Sequence, residues 1–214
     1  MFWKKKENYE EERRLMVERQ IKSRGVKNKA VLEAMAKVKR HRFIPDNLKA
    51  FAYADEPQPI GEGQTISQPY IVALMTELLD PKPEDRVLEV GAGSGYQAAV
   101  LAELVHHVYT LEIIPNLAKR CREVLENLGY KNVTILSRNG FDGLPEEAPF
   151  DKIMITAAPL SIPEALKDQL KMGGRLVVPV GDVYQVLYLV KKDESGCHSS
   201  EVIPVRFVPM TGGR

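Results

Sequence analysis

The sequence predicts an α/β fold in which helices cover both faces of a doubly wound, mostly parallel sheet. From residue 86 onward, short apolar runs alternate with helical stretches, which is typical of parallel strands buried on both faces. After residue 182 the pattern changes to two apolar runs around a polar turn, which predicts an antiparallel C-terminal edge. Amphipathic helices before residue 80 predict an N-terminal helical cap.

The apolar runs and their breakers define the predicted elements. The predicted parallel strands are 86–90, 108–112, 133–136, 153–156 and 176–180, and the predicted helices between them are 96–105, 116–128 and 163–170. The predicted C-terminal hairpin pairs 183–192 with 202–208 around a turn at 193–200. The earlier predicted helices are one through Leu15, Val17 and Ile21 that stops at Gly25, one capped by Asn28 with Val31, Met35 and Val38 on one face, and one over 70–79.

Length and composition fit one domain over 1–214, with N-terminal helices and a long loop in 1–80, a core in 81–182 and a C-terminal hairpin in 183–214. Thirty basic and 29 acidic residues give a net charge of +1, which disfavours a nucleic-acid binder. Cys121 and Cys197 lie far apart and lack metal-ligand spacing, so we expect a reducing cytoplasm. The basic start, 1–6, leads into acidic residues and no long apolar run follows, so we expect neither a signal peptide nor a membrane span.

A glycine-rich loop joins the strand predicted at 86–90 to the next helix. Its sequence places Glu89 before Gly91, Gly93 and Gly95, and such glycines allow a tight turn and a close approach of a ligand to the backbone. The spacing differs from the dinucleotide fingerprint, and the missing Gly-Lys-Ser/Thr excludes a nucleotide P-loop. Glu112 ends the next strand, where a carboxylate can accept both hydroxyls of a ribose. The alternative is a plain tight turn with a surface glutamate.

This arrangement resembles class I S-adenosylmethionine-dependent methyltransferases. The resemblance implies a Rossmann-like methyltransferase sheet with S-adenosyl-L-methionine as cofactor, its methionine part against the glycine loop and its ribose against Glu112. Thr156-Ala157-Ala158-Pro159 stands where enzymes that methylate adenine or cytosine amines carry Asn/Asp-Pro-Pro-Tyr/Phe. An exocyclic amine is therefore disfavoured as the methyl acceptor.

A closer resemblance covers almost the whole chain. The loop 53–70, with Gly-Gln-Thr-Ile-Ser at 63–67, resembles the protein-L-isoaspartate (D-aspartate) O-methyltransferase family, as do 42–45, 89–97, 173–181 and 206–209. The resemblance implies methyl transfer to the free α-carboxylate of L-isoaspartyl residues in damaged proteins and peptides, which initiates repair. It implies isoaspartyl polypeptides as partners, no nucleic acid or membrane, and a monomer. The alternatives are a methyltransferase for a small molecule or RNA and a non-catalytic cofactor-binding module; the intact loop 64–69 disfavours both.

The resemblance also assigns site residues. Ser67 is the implied catalytic residue, whereas its simplest role from the residues alone is to cap the helix that follows Pro69, and the two roles can coexist. The implied cofactor-binding residues are Gln64, Thr65, Ile66, Glu89, Gly91, Gly93, Ser94, Gly95, Glu112, Asn139, Gly140 and Thr211. The implied substrate-binding residues are Ile60, Ser67, Arg206 and Val208, although Arg206 equally fits a surface charge on an edge strand. No metal is expected, because the pair His106-His107 lacks a third ligand.

One position departs from the family pattern. The family carries Gly-Asp-Gly after the third strand, with the aspartate near the adenine amino group, and this chain has Arg138-Asn139-Gly140. Asn139 keeps a side-chain oxygen and loses the charge, so the resemblance implies that Asn139→Asp would tighten adenine binding. Asn139-Gly140 also fits an ordinary turn.

Overall fold

A computed structural model describes residues 8–212 and confirms the predicted fold class. Within these residues, a seven-stranded sheet has the order β5-β4-β3-β6-β7-β8-β9, and a separate two-stranded ribbon pairs β1 with β2. The nine strands are β1 Gln58–Gly61, β2 Gln64–Ile66, β3 Arg86–Val90, β4 His107–Glu112, β5 Val133–Ser137, β6 Phe150–Ile155, β7 Leu170–Gly181, β8 Gln185–Asp193 and β9 Gly196–Val205. The basic stretch 1–6 lies outside the described residues.

The direction of the strands places their ends. Strands β3 to β7 run parallel, and β8 and β9 add the antiparallel edge that the sequence predicts. The order reverses at β3, which has β4 on one side and β6 on the other. In open α/β sheets a crevice forms at the carboxyl ends of the strands next to such a reversal. The glycine loop leaves β3 at this point.

Helices bury both faces of the sheet. The α-helices within residues 8–212 are α1 Tyr9–Leu15, α2 Lys29–Lys37, α3 Pro69–Leu79, α4 Tyr96–Ala102, α5 Pro115–Asn127 and α6 Glu164–Asp168, and short 3-10 helices cover Lys22–Arg24, Arg40–Arg42, Asp46–Phe51 and Pro145–Glu147. One face packs against the N-terminal cap, α3, α4 and α5, and the other against α6 and the segment 144–150. No helix among residues 8–212 combines the length and apolarity that crossing a membrane requires.

The N-terminal cap follows the sequence prediction, with one local difference. Asn28 accepts a hydrogen bond from the amide of Val31 and begins α2, and Gly25 ends the first helical stretch with φ +100°. The difference lies before Gly25: α1 continues into a π-helical turn, Met16–Ile21, which apolar periodicity does not distinguish from an α-helix.

Several predicted boundaries are wrong. The β8–β9 turn contains only Glu194 and Ser195, because residues 196–201 continue the ladder with polar side chains exposed. The helix predicted at 163–170 ends at Asp168, and Leu170 already pairs with Phe150. The predicted loop 53–70 contains the ribbon β1–β2, and Gly61, at the end of β1, and the turn residues Glu62 and Gly63 are all at positive φ.

Candidate active site

The glycine loop is fixed to both neighbouring strands. The amides of Gly91 and Ala92 donate to the carbonyl of Leu111 at 2.8 and 3.1 Å, and the Thr156 hydroxyl donates to the carbonyl of Gly91 at 2.6 Å. Gly91 has φ +100°, and a Cβ there would lie 2.5 Å from Thr156 Oγ1. Only glycine permits this backbone path, so the loop presents bare backbone to the cavity beside it.

Glu112 holds the far side of the loop. Its Oε2 accepts the amide of Gly93 at 2.8 Å, and its Oε1 accepts the amide of Ile114 at 3.0 Å. A carboxylate has about four lone-pair positions, so each oxygen can still accept a hydroxyl from a ligand. Glu112 therefore shapes the loop and offers an anionic acceptor to the same cavity.

This cavity, the glycine-loop cleft, lies between residues 64–67, the loop 91–94, the end of β4 and residues 208–211. Apolar side chains of Val90, Leu111, Ile113 and Met210 line it together with Glu112. Glu112 is the one ionisable carboxylate that lines it among residues 8–212. Bare glycine backbone, one acidic acceptor and apolar walls fit a ligand with a ribose and a flat apolar ring.

The C-terminal segment forms one wall of this cleft. The amide of Ala158 donates to the carbonyl of Val208, and the amide of Met210 donates back to the carbonyl of Ala158, both at 2.8 Å. At the other end Asn139 Nδ2 donates to the carbonyl of Gly212 at 2.8 Å. Residues 208–212, of which 208–211 line the cleft, are thus tied at both ends.

Ser67 lies where the cleft meets a second cavity. That second cavity, the basic groove, is lined by parts of 65–71 and 203–208 together with Arg24 and Thr156. Thr65, Ser67, Thr156 and Val208 line both cavities. Within residues 8–212 the hydroxyl of Ser67 makes no hydrogen bond, whereas Thr156 Oγ1 donates to the glycine loop.

The predicted capping role of Ser67 is wrong. Helix α3 begins with Pro69 at its first position, and the cap is Gln68, whose side chain makes no capping bond. The Gln68 side chain instead donates to the carbonyl and carboxylate oxygens of Asp55, both at 2.8 Å. Ser67 stands one residue too early to cap, so its hydroxyl is free to contact a ligand.

The basic groove has a positive lining. It contains Arg24 and Arg206 and, among the described residues, no acidic side chain. Arg24 is held in place, because its guanidinium lies 3.5 Å above the ring of Tyr70 and donates to the Asp55 carboxylate at 2.7 Å. Arg206 is exposed at the end of β9. Such a lining suits a substrate that carries a carboxylate.

Glu89 lies beneath the loop, away from the cleft. It is fully buried, and Thr110 Oγ1 donates to its Oε2 at 2.5 Å, while Oε1 has no partner among residues 8–212. Burial raises the pKa of Glu89 to about 8, and the nearby charge of Glu112 also raises it, while the hydrogen bond from Thr110 lowers it. Glu89 is therefore largely protonated at neutral pH.

The structure gathers most of the predicted site residues. Those that line the glycine-loop cleft are Gln64, Thr65, Ile66, Ser67, Gly91, Gly93, Ser94, Glu112, Gly140, Val208 and Thr211. Three predicted cofactor residues, Glu89, Gly95 and Asn139, do not line it. Arg206 lines the basic groove, but Ile60 does not; its side chain is buried in a separate hollow between 42–45 and Gly93.

The sequence interpretation missed several lining residues. Ile113 and Ile114 follow Glu112 directly, and Met210 follows the family-like segment 206–209, so their positions in the sequence already indicate a place in the site. Thr156 begins the segment Thr156-Ala157-Ala158-Pro159, but the hydrogen bond from its hydroxyl to the glycine loop joins distant parts of the chain and does not follow from the sequence. No cluster of three or more potential metal ligands occurs in residues 8–212. In the pair His106-His107, the ring of His107 shares a hydrogen bond with Thr134 Oγ1 at 2.9 Å.

Comparisons with known proteins agree with this geometry. The family model described as Protein-L-isoaspartate(D-aspartate) O-methyltransferase (PCMT) matches residues 11–214. A protein-L-isoaspartate O-methyltransferase of Gloeobacter violaceus is 52% identical over 198 residues, covering 92% of this chain and 97% of that protein. A protein-L-isoaspartate O-methyltransferase of Ignicoccus hospitalis is 51% identical over 206 residues, covering 94% of this chain and 98% of that protein.

A solved structure is similar over nearly its full length. It is a putative protein-L-isoaspartate O-methyltransferase from Plasmodium falciparum in complex with S-adenosyl-L-homocysteine. It is 28% identical with a TM-score of 0.82, and the match covers 93% of this chain and 98% of that one.

Proposed function

Because the chain belongs to the protein-L-isoaspartate (D-aspartate) O-methyltransferase family, we propose that it methylates the free α-carboxylate of L-isoaspartyl residues in damaged proteins and peptides and thereby initiates their repair. The observation that carries this proposal is the free hydroxyl of Ser67 at the junction of the glycine-loop cleft and the basic groove. A group at this junction can contact both reactants.

The cofactor is S-adenosyl-L-methionine, and the residues of the glycine-loop cleft fit it. When bound, it supplies a methyl group on a positively charged sulfur. Glu112 would accept the ribose hydroxyls while its other lone pairs keep Gly93 and Ile114 in place. The backbone of residues 91–94 would hold the methionine part, and Ile113 and Met210, which line the cleft, would contact the adenine.

The acceptor needs no general base. An α-carboxyl group has a pKa of about 3.5, so the isoaspartyl carboxylate is already a nucleophile at neutral pH. The protein must align it, and orientation alone can supply much of the rate. Ser67 donates its hydroxyl hydrogen to one carboxylate oxygen and leaves the other free to attack. Arg206 attracts the carboxylate into the basic groove, whereas the charge of Arg24 is balanced by its ion pair with Asp55.

A labelling experiment with matched peptides tests the function. Tritiated methyl transfer is measured on an isoaspartyl peptide, on its aspartyl twin and on the isoaspartyl peptide with that α-carboxylate converted to an amide. We expect label in the first peptide alone. Equal labelling of the aspartyl twin contradicts isoaspartyl specificity, and labelling of the amide contradicts the α-carboxylate as acceptor.

We propose that the protein acts as a monomer in the cytoplasm and does not bind nucleic acid. The net charge of +1 supports the last point, because binding to nucleic acid depends on neutralising phosphates. Both cysteines are free, which supports a reducing compartment. Sedimentation of the purified protein tests the monomer, and competition of methyl transfer by total RNA tests the exclusion of nucleic acid.

A further inference from the structure

An exposed apolar patch borders the basic groove. Six large apolar side chains are exposed among residues 8–212, and three of them, Leu160, Val183 and Tyr184, lie at the carboxyl ends of β6 and β7. These three side chains are 78%, 84% and 92% exposed. Single apolar residues on a surface are ordinary, but a group of them at one place marks a contact surface.

Hydrogen bonds join the segments that carry these three residues to the wall of the groove. The amide of Gly181 donates to the carbonyl of Pro159 at 3.0 Å, which joins the segment before Leu160 to the turn that carries Val183 and Tyr184. Gln185 Nε2 donates to the carbonyls of Asp182 and Phe207, both at 3.1 Å, and Gln185 Oε1 accepts the amide of Phe207 at 2.6 Å.

Phe207 lines the basic groove, so Gln185 connects the turn of the patch to the groove wall. These bonds therefore hold the turn that carries Val183 and Tyr184 against the segment that carries Arg206 and Phe207. A polypeptide that leaves the groove beside Phe207 passes the turn that carries Val183 and Tyr184.

Resting on the proposed function, we propose that Leu160, Val183 and Tyr184 form a second docking surface for the substrate polypeptide, which binds apolar side chains several residues away from the isoaspartyl residue. This surface, the apolar rim, suits a damaged protein in which a locally unfolded segment exposes side chains that are buried in the intact fold. The basic groove beside Ser67 recognises the isoaspartyl residue, and the apolar rim adds affinity for the unfolded chain around it.

The test compares two isoaspartyl peptides that share the same central residues. The short peptide spans the groove alone. The long peptide adds about six residues on each side, and a series of long peptides places one phenylalanine at each added position in turn. The variants are Val183→Ser/Tyr184→Ser and Leu160→Ser. Met172→Ser is the matched control, because Met172 is 57% exposed on β7 at the end remote from Gly181.

For the wild type we expect a lower KM for the long peptide than for the short one, at one preferred position of the phenylalanine. In the rim variants the KM of the long peptide rises about 3- to 10-fold, the KM of the short peptide stays constant and kcat is unchanged for both. Met172→Ser leaves KM and kcat unchanged for both peptides. Circular dichroism and melting curves verify that each variant is folded.

Three outcomes overturn the proposal: no advantage of the long peptide, equal changes for both peptides, or rim variants that alter sedimentation instead of KM and thereby show a contact between two copies of the chain. A different outcome tests the proposed function: it is contradicted if the wild type does not methylate the short peptide. Activity on the short peptide without any effect of the rim variants contradicts the docking surface alone.

Discussion

Asn139 Nδ2 donates a hydrogen bond to the carbonyl of Gly212 at 2.8 Å, and Asn139 Oδ1 accepts the amide of Phe141 at 3.0 Å. The side-chain nitrogen therefore donates to a backbone carbonyl, and the side-chain oxygen accepts from a backbone amide. An aspartate can replace the acceptor but not the donor. The residue that the family resemblance places beside adenine thus holds the C-terminal wall of the glycine-loop cleft.

We predict that Asn139→Asp weakens cofactor binding, the reverse of what the family resemblance implies. A carboxylate oxygen in place of Nδ2 faces the Gly212 carbonyl and repels it, so the segment 208–212 loses its second attachment. The Kd for S-adenosylhomocysteine, measured by titration calorimetry, should rise about 3- to 10-fold, as the loss of one partly exposed hydrogen bond implies. Asn139→Ala, which removes the bond without repulsion, should lie between the wild type and the aspartate variant. Tighter binding by Asn139→Asp would place its carboxylate at the adenine after all.

The site could be predicted from sequence where it depends on local geometry. The glycine loop and Glu112 follow from residue types at fixed spacing after a strand, and the structure places Glu112 in the cleft with Gly91 and Gly93. Position 139 could not be predicted in the same way. Its contacts join residues 73 positions apart in the chain, and no local pattern records that the acceptor is a backbone carbonyl at residue 212.

The start of α3 was predicted wrongly, although the sequence contained the information needed to place it. Proline prefers the first position of a helix, so Pro69 already indicates that Gln68 is the cap and that Ser67 precedes it. The bounds of the turn between β8 and β9 were harder to predict from the sequence. An exposed edge strand carries polar residues where a loop also would, so composition does not separate Cys197–Ser200 from a long turn.

We predict that Glu112→Gln and Glu112→Ala both weaken S-adenosylhomocysteine binding, and that glutamine does not rescue it. One oxygen of the carboxylate accepts Gly93 and the other accepts Ile114, so the amide of a glutamine must point its own hydrogens at one of these donors. Each substitution should weaken the free energy of S-adenosylhomocysteine binding by about 1.5–3 kcal/mol, which corresponds to a Kd roughly 10- to 150-fold higher in titration calorimetry. Glu123→Gln, an exposed position on α5, is the control. Binding by Glu112→Gln close to that of the wild type would show that Glu112 acts only as a neutral acceptor.

We predict that Glu89→Gln stabilises the fold increasingly as the pH rises. The pKa of Glu89 is raised to about 8 in the folded protein by burial, against 4.5 as the ordinary value. Between these two values the unfolded chain loses a proton that the folded chain keeps, so the wild type loses stability as pH rises through this window and loses no more above about pH 8. Glutamine does not titrate and still accepts the hydrogen bond from Thr110.

The measurement is urea unfolding of both proteins at several pH values from about 5 to about 8. The unfolding free energy of Glu89→Gln minus that of the wild type should grow across this range by about 2–5 kcal/mol. Glu126→Gln, exposed on α5, should show no such trend. A constant difference would mean that Glu89 is ionised in the folded protein and paired with a group that offsets its burial.

Our last prediction uses Ser67→Ala and Ser67→Gly to separate chemistry from structure. If Ser67 capped a helix, alanine would cost about 1 kcal/mol of stability and glycine only a few tenths. Because Gln68 is the cap and the Ser67 hydroxyl has no partner within residues 8–212, we expect the opposite order. Alanine changes the unfolding free energy little, and glycine lowers it by about 0.5–1 kcal/mol through added backbone freedom.

Turnover should behave differently, because both Ser67 variants lose the same hydroxyl. Single-turnover methyl transfer to an isoaspartyl peptide, measured well below both melting temperatures, should fall about 10- to 1000-fold in each, with a similar factor for the two. The Kd for S-adenosylhomocysteine should change far less. Ser94→Ala is the control, because Ser94 lines the glycine-loop cleft but not the basic groove and should change binding of the cofactor more than the rate at saturation. Near-normal rates in both Ser67 variants would mean that backbone amides around residues 65–67 orient the carboxylate and that the hydroxyl takes no part.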